Sequence, residues 1–295
     1  MEEIIKVDNI IHRYRSVNVL EKLNFSVKKG RIFGLLGKNG AGKTTAINIM
    51  MGFLQPLGGR CEIFGEPSHK ISPETRTRIG LIHENHLQYD FMNISQAEKF
   101  YSSFYSKWDY EIFNSLTGKL GLDKKHKNSK MSFGQRSQVK LALILAQKPE
   151  LMILDDYSTG LDAGYRRLFL EYISEYAREY ETTVFVTSHI VQDLEKVVDD
   201  IVILDRGKTL ISSTLEDFTG SFVKYRLKNF HGDVDISRDN IIVNSERFGR
   251  DLFVYSFESP ETVMYHLKKK GVEGIVLEAG QMSLEDAFIG LTGKY

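Results

Sequence analysis

A chain of 295 residues is long enough for one large domain or two smaller ones with a sizeable core. Its composition, 42% hydrophobic and 26% charged, is that of a globular protein, and 39 basic against 39 acidic residues give a formal net charge of zero. That balance excludes bulk electrostatic attraction to nucleic acid or anionic lipid as the basis of function, so no nucleic-acid partner is expected. The lone Cys61 excludes an intrachain disulfide and suits a reducing cytosol.

The opening "MEEIIKVDN" is acidic and lacks the regions of a signal peptide, and no apolar run approaches the ~20 residues that span a bilayer. Work at a membrane would need a partner to supply the span. "EIIKVDNII" and "LNFSV" read as strands, the second closed by a Lys29-Gly30 turn, and "RIFGLLG" as a buried strand. "GGRCEIFG" is a further short strand. From about residue 93 to 148 the pattern turns helical, with Ser95-x-x-Glu98 read as a capping box. Seven aromatics there, Phe100, Tyr101, Phe104, Tyr105, Trp108, Tyr110 and Phe113, are expected mostly in the core of a helical subdomain. After Pro149 strands return as "LMILDD", "TTVFVTSH" and "DIVILDRGKTLIS", the last with a hairpin turn near Arg206-Gly207. The pattern is an α/β core, residues 1–220, interrupted by helices, followed by a small α+β domain over 221–295.

The strongest motif is "GKNGAGKT", Gly37 to Thr44, which fits G-x-x-x-x-G-K-[ST] between a strand and a helix. It comprises Gly37, Lys38, Asn39, Gly40, Ala41, Gly42, Lys43 and Thr44, with Thr45 next on the helix. Its glycines let successive backbone N–H groups point at phosphate oxygens, and the helix N-terminus adds a positive field. Lys43 reaches the β and γ phosphates, and the Thr44 hydroxyl ligates Mg²⁺. This predicts a P-loop fold that holds the phosphates of a nucleotide.

With "MSFGQ", Met131 to Gln135, the chain resembles the ATP-binding subunit of an ABC transporter over essentially all of residues 1–220. "MSFGQ" is similar to that family's LSGGQ signature, with Phe133 in place of the first glycine. The resemblance implies that Ser132, Gly134 and Gln135, at a helix N-terminus, hold the γ-phosphate of an ATP bound to a second ATPase subunit, identical or different. It makes Tyr14 the residue that stacks on adenine, with core packing as the plain alternative. Thr159-Gly160-Leu161-Asp162 is similar to the family's D-loop, which touches the opposing subunit. His189 is similar to its switch histidine. Asp155 takes the place of the Mg²⁺-associated aspartate, and Asp156 that of the catalytic glutamate, one methylene shorter. Glu84 stands where the family has a glutamine, and a carboxylate there can meet Mg²⁺ or the attacking water. His83 and His86 around it could suggest zinc, but the two-histidine helix wants spacing i, i+4 and a third ligand.

The resemblance further implies ATP and Mg²⁺ as cofactors, polytopic membrane subunits as partners, and a cytoplasmic protein peripheral on the inner face of the cell membrane. "SLEDAFIGLTG", Ser283 to Gly293, is similar to the ending of bacterial exporter ATPase subunits. Three readings follow: a hydrolysing exporter motor, made slow by Asp156; a subunit that binds ATP, hydrolyses it poorly and gates a competent partner; or a non-transport ABC protein. The last class carries two cassettes or long coiled-coil insertions, which this chain lacks.

Overall fold

The computed structural model describes residues 2–83, 89–228, 230, 236, 238–272, 276–280 and 282–293. These divide into two compact units, 1–212 and 213–295.

The first unit begins with β1 (Glu3–Tyr14) and β2 (Val17–Lys28), followed by β3 (Ile32–Gly37) and helix α1 (Lys43–Met50). β4 (Gly58–Ile63), β5 (Glu66–Pro67), α2 (Pro73–Arg76) and β6 (Ile79–Ile82) come next. Three helices follow: α3 (Ile94–Ser102), α4 (Tyr110–Gly118) and α5 (Phe133–Leu145). The unit closes with β7 (Leu151–Leu154), α6 (Ala163–Glu179), β8 (Thr183–Ser188), α7 (Val191–Leu194), β9 (Asp200–Asp205) and the first five residues of β10 (Lys208–Thr214).

Six strands form a sheet in the order β10-β9-β3-β8-β7-β6, and the pairs β9/β3, β3/β8, β8/β7 and β7/β6 are parallel. β3, β7 and β8 are buried at every position, which is why they read as continuous apolar runs rather than alternating ones. A second, antiparallel sheet has the order β2-β1-β4-β5. Phe25 from β2 stacks on Phe33 of β3 and Phe185 of β8, with ring centroids 5.2 and 5.7 Å apart, so the two sheets share one core.

Two sequence readings of the helical segment are corrected. The cap of α3 is Asn93, not Ser95: its side chain accepts from Gln96 N at 2.8 Å, and Gln96 Oε1 accepts from Asn93 N at 3.0 Å. Asn93 bridges to Lys127 and Ser95 N donates to Lys124 O, so nonlocal backbone pairing fixes where the helix begins. Of the seven aromatics, Trp108 and Phe113 are buried, whereas Phe104 and Tyr110 are exposed.

The second unit contains α8 (Leu215–Ser221), β11 (Val223–Leu227), β12 (Asn244–Phe248), β13 (Asp251–Ser256), α9 (Pro260–Lys269), β14 (Leu277–Gly280) and α10 (Leu284–Thr292). Its antiparallel sheet runs β12-β13-β11-β14 over a core of Tyr225, Leu227, Val254, Val263 and Leu267. The division falls after Ser212 rather than at the expected residue 220. Phe218 and Phe222 explain the shift: they stack on each other at 5.6 Å, and Phe222 packs on Phe257 at 4.6 Å, which ties α8 to β13 and the turn after it. Asp239 clamps a loop to α9 by accepting from His266 Nε2 at 2.8 Å and Lys270 Nζ at 2.5 Å.

Candidate nucleotide site

The ends of three adjacent parallel strands carry the polar groups, which is where an open α/β sheet binds ligands. β3 ends in Gly37. A methyl group there would stand 2.9 Å from both Ala41 Cβ and Leu204 O. Gly42, at φ 107°, precedes α1, and a methyl on it would meet Leu20 Cδ2 at 2.7 Å. Only glycine lets the loop curl this tightly. Lys43 folds back over the loop, Nζ donating to Gly37 O at 2.7 Å and Lys38 O at 3.1 Å. α1 opens without a side-chain cap and without an acidic residue in its first turn, so its orphan N–H groups and positive end face an anion.

Asp155 follows β7 and is buried. Its Oδ1 accepts from Thr44 Oγ1 at 3.3 Å and from Thr187 Oγ1, on β8, at 3.1 Å. Asp156 has a left-handed backbone, φ 42°, which aspartate tolerates better than most residues. Its amide donates to Thr187 Oγ1 at 3.0 Å, and its carboxylate accepts from Ser158 Oγ at 3.0 Å. His189 Nδ1 lies 3.0 and 2.9 Å from the two carboxylate oxygens. Against a carboxylate Nδ1 is the donor, which leaves Nε2 as the ring's free acceptor position. Thr44, Asp155, Thr187, Asp156, Ser158 and His189 thus form one hydrogen-bonded chain across three strand ends. Thr187 and Ser158 were not singled out in the sequence; "VFVTSH" held the signal for Thr187, a hydroxyl closing an otherwise apolar strand, and Ser158 stands two residues after Asp156 in "DDYSTG". After Asp156, Tyr157 stacks on Phe169 at 5.2 Å, and burial pushes its phenol well above the usual range.

Tyr14, at the end of β1, is half exposed and meets the buried His12 ring edge-on at 4.9 Å. His12 pairs with Leu20, the residue that touches Gly42, so the Tyr14 ring belongs to the neighbourhood of the phosphate loop. A second group gathers at the N-termini of α5 and α6. Ser132 caps α5, with Oγ accepting from Gln135 N at 3.3 Å and Gln135 Oε1 accepting from Ser132 N at 2.9 Å. Gln135 is therefore turned back onto its own cap. Asp162 caps α6, accepting from Tyr165 N at 3.0 Å. Glu84 and His86 lie outside the described residues. Among the described residues no cluster of three His, Cys, Asp or Glu could hold a metal, and His83 Nε2 lies 3.2 Å from Asn48 Oδ1.

This fold and this strand-end constellation define a P-loop nucleotide-binding ATPase. Residues 20–159 match the ABC transporter family. The chain is 29% identical to the bacitracin transport ATP-binding protein BcrA of Bacillus licheniformis, over 99% of this chain and 98% of that protein. It is 27% identical to the Nod factor export ATP-binding protein I of Cupriavidus metallidurans, over 100% and 99%. A dimeric bacterial ABC transporter cassette, MJ0796, has the same fold, with TM-score 0.63 and 20% identity over 72% of this chain and 98% of that one. The chain belongs to the ABC transporter ATP-binding proteins: it is an ATP-binding, ATP-hydrolysing subunit of a transporter.

Proposed function

We propose that this subunit drives export by closing on ATP with a second ATPase subunit, and that Asp156 is the base that polarises the attacking water. The observation that carries this is the Asp156–His189 pair, 2.9 Å apart, beside the Thr44–Asp155 contact at the strand ends that flank the phosphate loop. Gly37, Lys38, Asn39, Gly40, Ala41, Gly42, Lys43, Thr44 and Thr45 wrap the phosphates, and Tyr14 stacks on adenine. His189 positions the γ-phosphate or its water through Nε2. Ser132 and Gly134 meet the γ-phosphate on the opposing subunit, with Gln135 holding Ser132 in place and Asp162 holding the adjacent D-loop. The dimeric state of the MJ0796 cassette supports this arrangement.

Mg²⁺ suits the residues present. Thr44 Oγ1 and Asp155 Oδ1 stand 3.3 Å apart in a buried setting, and two protein oxygens are enough for an ion that takes its other ligands from phosphates and water. Thr44 would hold the ion directly and Asp155 through its water shell, and the ion supplies charge neutralisation at the transferring phosphate.

Among the described residues no helix is long and apolar enough to cross a membrane, so polytopic membrane subunits are the partners that place this protein on the inner face of the cell membrane. A cavity of about 230 Å³ lined by Met51, Leu81, Tyr101, Tyr105, Lys140 and Leu143 offers them an aromatic and aliphatic seat between the sheet and α5. The name of one relative, Nod factor export ATP-binding protein I, supports export as the direction. Lys43→Ala tests the phosphate loop. ATP binding or hydrolysis should be lost with the fold retained by circular dichroism, and undiminished ATPase activity would refute the assignment.

A further inference from the structure

Phe133 is out of place by ordinary packing rules. It is the first residue of α5, 53% exposed, set between the small Ser132 and Gly134. Yet one face of its ring is occupied. A methyl group on Gly160 would stand 2.8 Å from Phe133 Cε1 and Cζ and 3.1 Å from Cδ1, so the ring lies directly on the Gly160 backbone. The reverse contact exists one residue further along α5 and five further along the other segment. A methyl on Gly134 would stand 2.7 Å from Tyr165 Cε2 and 2.8 Å from Cδ2 and Cζ. Each loop therefore lays an aromatic ring on the other's glycine. Gly160 also has φ 76°, a conformation that keeps other side chains away from this position.

We propose that these two ring-on-glycine contacts form a latch, and that Phe133 and Tyr165 are positioning residues for hydrolysis. The proposal rests on the reading that the α5 N-terminus meets the nucleotide of the opposing subunit. Gly160 lies two residues after Ser158, whose Oγ donates to Asp156 Oδ1 at 3.0 Å. A shift of the α5 end on meeting phosphate is passed by hard contact through the Phe133 ring to Gly160, then through Ser158 to the carboxylate facing His189. A ring in van der Waals contact with backbone carries a push toward that backbone across the contact. Phosphate bound in trans thus sets the aim of the base in cis, and a ring at position 133 does what a glycine there could not.

The test uses the full-length chain. Phe133→Gly should lower kcat about tenfold, within the ~10²-fold that misplacing a catalytic group by about 1 Å costs, with the monomer's Kd for ATP unchanged. Phe133→Leu, which keeps apolar bulk over Gly160, should restore most of the rate. Gly160→Ala should also lower kcat, and its effect should be several-fold smaller in the Phe133→Gly background, where the ring it would strike is gone. Multiplicative effects of Phe133→Gly and Gly160→Ala, or a Phe133→Gly enzyme with parental kcat, would overturn the latch. Ser132→Arg run alongside separates the two claims. If that variant still forms the ATP-bound dimer, the trans-contact reading fails and takes the latch with it; if it stays monomeric and the double-variant effects multiply, the latch alone fails.

Discussion

Replacing Asp156 with asparagine removes the charge and leaves almost everything else in place. Asparagine is as much at ease as aspartate at φ 42°, and its carbonyl can still accept from Ser158 Oγ, so the backbone turn survives. What is lost is the charge-assisted contact with His189 Nδ1 at 2.9 Å and the acceptor for a proton of the attacking water. In a partly exposed pair the first loss costs about 1–2 kcal/mol of stability. The second removes general-base assistance of about 10²–10⁴, equivalent to roughly 2.7–5.4 kcal/mol on the barrier. The two losses are separable: phosphate release at saturating Mg-ATP should fall at least about 100-fold while the denaturant midpoint moves little. Asp156→Glu returns the methylene, moving the carboxylate forward by about 1.5 Å at the cost of about 1 kcal/mol for a side chain less suited to left-handed backbone. Its rate should equal or exceed the parent's. An asparagine variant that releases phosphate within threefold of the parent would show that this carboxylate is not the base.

Two other outcomes follow from the geometry. Tyr14→Ala should weaken ATP about fivefold or more, by the ~1 kcal/mol an aromatic stack contributes, and should weaken GTP equally because a ring face does not distinguish purines; titration calorimetry reads both. In the second unit, burial pushes the Asp239 carboxyl up, but backbone N–H groups of Ile242 and Ile241 with Lys270 and His266 outweigh it and hold it well below the usual carboxylate range. A lowered folded-state value adds stability that is present above the unfolded value near 3.9 and lost as pH falls through the folded value. Asp239→Asn should therefore destabilise the second unit near neutral pH, with the difference from the parent shrinking below about pH 4 in acid unfolding monitored by circular dichroism.

The sequence disclosed most where function is written in contiguous residues. The phosphate loop, the buried strand into Asp155 and the glycine-turned hairpin at Arg206-Gly207 each depend on neighbours in the chain, and the structure has them as read. The bracing of Asp156 was not legible, because Thr187 reaches it only once β7 and β8 pair side by side. The cap of α3 was misplaced for a related reason. Two overlapping cap patterns compete in "NISQAE", and a backbone bridge from Asn93 to the distant Lys127 chooses between them. Helical spacing likewise cannot tell which rings of an aromatic-rich segment turn inward; Phe113 does and Tyr110 does not. The end of the first unit was set late because the contact of Phe222 with Phe257 joins residues far apart in the chain.

The central claim is that ATP is held between the phosphate loop of one subunit and the Ser132 end of α5 on another. Multi-angle light scattering on the Asp156→Asn chain, where hydrolysis cannot clear the bound state, tests it most directly. With saturating Mg-ATP the scattering mass should double, and it should remain that of a single chain without nucleotide or when Ser132→Arg is added. A single-chain mass at saturating Mg-ATP, both alone and in the presence of the membrane subunits, would contradict the account.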